Sequence, residues 1–352
     1  MSGSLSFAAR CAAIVLGVVA LLVHPSAAWV ESAYANGAYA VWEHAIFPVT
    51  NAFPWSLGDV AAMLGVALIV ARIVVYARRR GLSPGKRAAL VAFDIVAVAA
   101  IYAVWFEASW GWNYDRAPLE ARTAYDASRV SPSGVDALRR AVVAHINALA
   151  PAAHALDRTT PNLDALRAAW TPVVQAAGDR WTPFVGASKQ TVGDPFMALS
   201  GTSGFINPLT LNVQLASDLL WFERPFSLAH EWSHVAAYAR EDEANYLSIL
   251  TCLRSNDPVV QYSGWLELFL YLPQLDHYDR STFSPLVWAD FEALRARNAR
   301  RVNLAIAHWS WKTYNVYLKS NRVASGVRNY NEVTRLYLGI ARDPVGLPKP
   351  RP

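Results

Sequence analysis

Three apolar stretches in the first third of the chain, residues 11–30, 59–77 and 88–108, limit its possible folds more than any other feature. Each approaches the roughly 20 residues a helix needs to cross the hydrocarbon core of a bilayer. Between the second and third lies "YARRRGLSPGKRAA", with Arg78, Arg79, Arg80, Lys86 and Arg87, whereas the loop between the first and second has no lysine or arginine. Basic loops stay on the cytoplasmic side. The asymmetry therefore predicts a cytoplasmic N-terminus, three transmembrane helices, and a chain that leaves the third on the outer face. Trp105, Trp110 and Trp112 would form an aromatic belt there. The small residues of "HPSAAW" also suit cleavage of the first segment as a signal peptide, which leaves the orientation of the rest unchanged. Asp94 and Arg72, charged residues inside apolar segments, read as helix-paired or snorkelling groups near the cytoplasmic ends.

Composition agrees with a membrane-attached chain. Of 352 residues, 54% are hydrophobic and only 17% charged, too apolar a balance for an ordinary soluble protein. The net charge of +5 carries no basic stripe, which argues against a nucleic-acid partner, and no glycine loop suits phosphate. Two distant cysteines, Cys11 and Cys252, make no disulfide framework.

After residue 115 the character changes. Residues 116–352 hold no further span-length apolar run, and "SGVDALRRAVVAHINALAPAAHAL" and "NLDALRAAWTPVVQAAGDRW" space apolar residues as helices do. A Gly/Pro/Thr-rich interval, "TPFVGASKQTVGDPFMALSGTSGFINPLTLNVQL", reads as loops and short strands, and helix returns from Ser227. The expectation is a mainly α protein: a membrane domain over 1–115, then a mostly helical extracytoplasmic domain over 116–352 with a small loop and strand region.

The chemistry is concentrated in "LAHEWSHVAAYAREDEANYL", residues 228–247. His230 and His234 are four apart, so one helix face presents both imidazoles to a single ion. With Glu231 they form H-E-x-x-H, in which zinc brings a bound water's pKa towards 7 and the glutamate takes its proton. The third ligand has to come from the acids that follow. On an unbroken helix Glu241 would share the histidine face but lie about 10 Å along the axis from His234. That is too far for ligand bonds near 2 Å, so the helix must end and turn back across "AAYAR". Glu241 with Asn245 has the E-x-x-x-D spacing of glutamate-type zincins with Asn in place of Asp, and Glu243 stays open as an alternative ligand. Tyr330 and His308 are candidates to stabilise an oxyanion, and "GFINPLTLNVQL" to pair with a peptide as an edge strand. His24, His44, His145, His154 and His277 show no ligand spacing.

"REDEAN" is similar to the R-E-x-x-A-D stretch of the membrane-bound CAAX-prenyl-protease and heat-shock-protease family. Over nearly the whole chain, "YANGAYAVWEHAIFPVTNAFPWSLGD", "WGWNYDRAPLE", "FSLAHEWSHVAAYAREDEANYLSILTC" and "VYLKSNRVASGVRNYNEVTRLYL" resemble, in order, a bacterial membrane-protein family catalogued as domain of unknown function 3810. The resemblance implies three membrane helices and a zincin-like domain facing the periplasm from the inner membrane, with zinc on His230, His234 and Glu241. It implies a zinc metallopeptidase with a protein or peptide substrate and Glu231 as general base. A non-catalytic envelope sensor or scaffold with a structural or degenerate zinc site is the alternative. Where the family pattern reads H-E-L-A-H-x-x-G-F-A, this chain has Trp232, Ser233 and Ala237. If the replaced glycine has positive φ, Ala237 is strained by about 1 kcal/mol.

Overall fold

The computed structural model describes residues 2–156, 160–273, 279–321, 323 and 332–351, with side chains from Phe7 onward. The helices before the first strand are α1 (Ser2–Leu22), α2 (Ala27–Trp29), α3 (Tyr39–Asn51), α4 (Leu57–Arg78), α5 (Pro84–Ser109), α6 (Leu119–Arg122), α7 (Pro132–Leu156), α8 (Leu163–Ala176) and α9 (Asp194–Ser200). Two short strands, β1 (Gly204–Ile206) and β2 (Val213–Leu215), pair antiparallel with Phe205 opposite Gln214. Then come α10 (Arg224–Val235), α11 (Glu241–Arg254), α12 (Pro258–Tyr271), α13 (Pro285–Arg301), α14 (Leu304–Ser320) and α15 (Val333–Gly339). The chain is mainly helical, and its strands fall in the interval whose composition predicts them.

α4 and α5 are long and apolar enough to cross a membrane, and almost none of either is buried in protein. Met63, Leu64, Val66 and Leu68 of α4 and Ile95, Val98 and Ile101 of α5 are all exposed, a surface that calls for lipid rather than water. Both helices start at a serine cap: Ser56 accepts from the Asp59 amide and Ser83 from the Lys86 amide. α1 lies along α5. It stops at Leu22 rather than running to residue 30, because Pro25 has no N–H and disfavours helix in the residue before it. The chain bends by 100° there and continues through α2, a π-helical stretch (Val30–Ala38) and α3. Asp94 is helix-paired, bonded to Arg10 of α1 and to Arg72 and Tyr76 of α4, so one carboxylate ties all three helices together.

The remaining helices pack around α11, which touches α8, α10, α12 and α15. Residues 30–47 and 106–114 belong to the same core: Tyr34, Tyr39, Phe47, Phe106, Trp110 and Tyr114 join the buried cluster that includes Trp170, Trp232 and Tyr262. This corrects the expected aromatic belt. Trp105 is exposed, but Trp110 is buried and Trp112 packs edge-on against Trp29 and Tyr34. All of this packs onto the ends of α4 and α5 opposite the basic loop. Asp59 accepts from Thr191 and the Val192 amide, and Phe106 meets Tyr317 with ring centroids 6.2 Å apart.

Candidate metal centre

α10 opens with Pro225 in its first turn and ends at Val235, and five residues separate it from the start of α11 at Glu241. The expected break is a Schellman turn: Ala237 N donates to His234 O and Tyr238 N to Ser233 O. Ala237 occupies its left-handed position with φ of 69°, where the family pattern has glycine. Neighbours hold the strained turn in place. Tyr39 donates to the Val235 carbonyl at 2.9 Å, and buried Arg116 donates to the carbonyls of Ala236 and Ala237. Arg116 is itself fixed by Glu31 and Asp179, each at 2.8 Å.

The fold-back brings Glu241, the first residue of α11, to the two histidines. His230 Nε2 and His234 Nε2 are 3.0 Å apart, and Glu241 Oε2 is 3.2 Å from the first and 3.7 Å from the second. A tetrahedral site with bonds near 2.0 Å has edges of about 3.3 Å, so the three atoms already stand as the corners of one face. His234 Nδ1 donates to the Tyr238 carbonyl at 2.7 Å, which fixes the tautomer that leaves Nε2 its lone pair. Glu241 Oε1 accepts from the Tyr314 hydroxyl of α14, while Oε2 is buried with no hydrogen-bond donor of its own. Such an arrangement of two nitrogens and one orphaned carboxylate oxygen fits a zinc ion. Among the described residues, these three are the group with metal-binding geometry.

Glu231 is 3% exposed and packs against β1: a Cβ on Gly204 would come within 2.7 Å of Glu231 Oε1. Its other oxygen, Oε2, has no hydrogen-bond partner. With no metal bound, burial raises its pKa to about 7 against the opposing pull of His230 and His234. Burial also raises Glu241, but the two imidazoles outweigh it and hold that carboxyl well below its ordinary value. For His234 burial pulls downward, and Glu241 with Glu231 and the Tyr238 carbonyl overrules it, lifting the imidazole to about 9 when no metal is bound, so a metal ion taken up at Nε2 displaces a proton.

The other candidates separate cleanly. Glu243 faces away from the histidines, accepting from the Leu119 amide at 2.9 Å and lying 3.8 Å from Arg122, so its carboxylate serves the α6 contact. Asn245 is buried beside the Tyr271 hydroxyl. His308 is exposed on α14, about 120° around the helix from Tyr314, and Tyr330 and His277 lie outside the described residues. His145 stacks on Trp265, His154 meets Asp290, and His44 meets Glu43. Tyr314 is the residue that sequence reasoning missed. Its spacing from Tyr317 marks only a shared helix face, and nothing local connects it to an acid 73 residues earlier.

The family described as protein of unknown function (DUF3810) matches residues 34–338. The chain belongs to this family. No curated protein and no solved structure matches it. In this DUF3810 member the matched region takes in α3, both long apolar helices, the H-E-x-x-H helix and Tyr314 together. Membership assigns no chemistry, which has to be argued from the centre itself.

Proposed function

We propose that the chain is a membrane-anchored zinc metallopeptidase, with His230, His234 and Glu241 as ligands and Glu231 as general base. The observation that carries this reading is the three-cornered donor set with a buried carboxylate beside it, one oxygen of which has no hydrogen-bond partner. A zinc ion held there supplies Lewis-acid polarisation and an acidified water. Glu231 holds the place from which a proton is taken from that water and passed to the leaving amine nitrogen. Its contact with Gly204 puts β1 beside the base, and a peptide paired to β1 through its backbone brings its carbonyl to the same point. Tyr314 steadies Glu241 from behind. The asymmetry of basic residues supports a centre outside the cytoplasmic membrane, with the basic loop on the cytoplasmic side.

The test is hydrolysis of a peptide library by the full chain in vesicles, beside a Glu231→Gln variant. The variant is expected to keep its metal and lose activity by roughly 10²–10⁴-fold, the usual worth of a positioned base. Equal turnover by both proteins removes Glu231 from the reaction, and no turnover by either leaves a structural zinc site in a scaffold.

A further inference from the structure

α14 carries a second feature besides Tyr314. Val316 is 62% exposed and Trp309 60%, two large apolar side chains close together around one helix. Its neighbour α9 adds Phe196 and Leu199, with Val192 just before it, and the two helices are joined by the Asn303 amide donating to Leu199 O.

The position of this patch follows from what it touches. At one side, the 191–192 turn leading into α9 is bonded to Asp59 in the first turn of α4. Gly58 is so close to Asn207, just after β1, that a Cβ there would overlap the amide. At the other side, Tyr317 packs on Phe106, which stacks on Tyr102 one turn deeper in α5. The α9–α14 layer thus reaches the first turn of α4 at one side and the last turn of α5 at the other.

Helix geometry then says which way α14 faces. Measured around its axis from Tyr317, Tyr314 lies about 60° to one side, towards Glu241 and the body of the fold. Trp309 and Val316 lie about 80–100° to the other side, and Lys312 and Lys319 about 140–160°. The flank of Trp309 and Val316 therefore points away from Tyr314 and the body of the fold, with a cationic strip beside it, while Leu304 and Trp311 lie about 120–140° round the axis on Tyr314's side. Apolar flank, tryptophan and adjoining lysines are the pattern of a helix lying in a membrane interface.

We propose that the α9–α14 face is seated at the headgroup–acyl boundary of the bilayer that α4 and α5 cross. Because Tyr314 of this same helix holds Glu241, the metal centre is then fixed at the membrane surface. Given the peptidase reading above, its substrates are chain segments held close to the bilayer, in membrane-anchored or membrane-spanning proteins.

The location is tested without any appeal to catalysis. Single cysteines at Trp309→Cys, Val316→Cys and Phe196→Cys, in full-length protein carrying Cys11→Ser and Cys252→Ala, are labelled with bimane and reconstituted in phosphatidylcholine–phosphatidylglycerol vesicles. Ala137→Cys, at an exposed position of α7, is the aqueous control. Lipids brominated near the top of the acyl chain are expected to quench the three test labels severalfold more than the control, and aqueous iodide severalfold less. Iodide quenching equal to the control would put the patch in water. Protection from both quenchers would put it under another protein. Either result overturns the proposal, and neither bears on whether the centre cleaves peptides.

Discussion

Removing one oxygen from Tyr314 probes the centre from its least obvious side. The hydroxyl donates to Glu241 Oε1 in a buried site, and so directs Oε2 towards His230 and His234. Phenylalanine keeps the ring that stacks on Tyr317 at 5.7 Å, so packing is preserved while the carboxylate loses a donor that water cannot easily replace. A hydrogen bond to a charged group contributes about 1.5–3 kcal/mol. At about 1.4 kcal/mol per factor of ten, Tyr314→Phe should weaken zinc binding by roughly 10–100-fold, in line with other losses of support behind a metal ligand. Competition against a chromogenic chelator in detergent measures this directly. Tyr317→Phe is the control, since it breaks only the 3.3 Å bond to Tyr114 and should leave zinc affinity unchanged. Zinc affinity within twofold of wild type in Tyr314→Phe, or equal losses in both variants, would refute the idea that Tyr314 orients the acid.

Three other substitutions follow from the same geometry. Gly204→Ala places a Cβ 2.7 Å from both Glu231 Oε1 and Leu215 Cδ2, so peptidase turnover should fall while bound zinc, measured by metal analysis, stays constant. Ala237→Gly relieves a left-handed residue, a strain of about 1–2 kcal/mol, and gives back about 0.4–1 kcal/mol through the unfolded chain. A small rise in thermal midpoint is expected, and a fall would show that the turn prefers alanine. Glu243→Ala strips the Leu119 amide and Arg122 of their shared carboxylate, which should cost about 1–3 kcal/mol in denaturant unfolding without loss of zinc.

The sequence was most legible where the physics is local. The second and third apolar stretches became α4 and α5 within a few residues, and the serine caps account for the helix starts lying upstream of the apolar runs. The first stretch was overextended because a proline stop at residue 25 counts for little against a long apolar average. Trp110 and Trp112 were misplaced because a tryptophan beside the end of a membrane helix has the same local sequence whether it meets lipid or a folded core. At the centre, the helical spacing of His230 and His234 and the need for a turn before Glu241 were both readable. The glycine of the family pattern matters at Ala237 only if that position has positive φ, and the structure gives it a φ of 69°. Glu241 and Glu243 could not be separated, since residue spacing loses its meaning across a broken helix. The folded contacts distinguish them: Glu241 reaches both histidines, while Glu243 is taken up by the Leu119 amide and Arg122. The role of Tyr314 depends on how α14 docks, and no local pattern encodes that.

The central claim is that His230, His234 and Glu241 together hold one zinc ion. Its most direct test is the metal content of the purified full chain, measured beside Glu241→Ala and Glu243→Ala by inductively coupled plasma mass spectrometry. The account predicts stoichiometric zinc in the wild type and in Glu243→Ala, and its loss in Glu241→Ala. Full zinc in Glu241→Ala, or loss confined to Glu243→Ala, would contradict it.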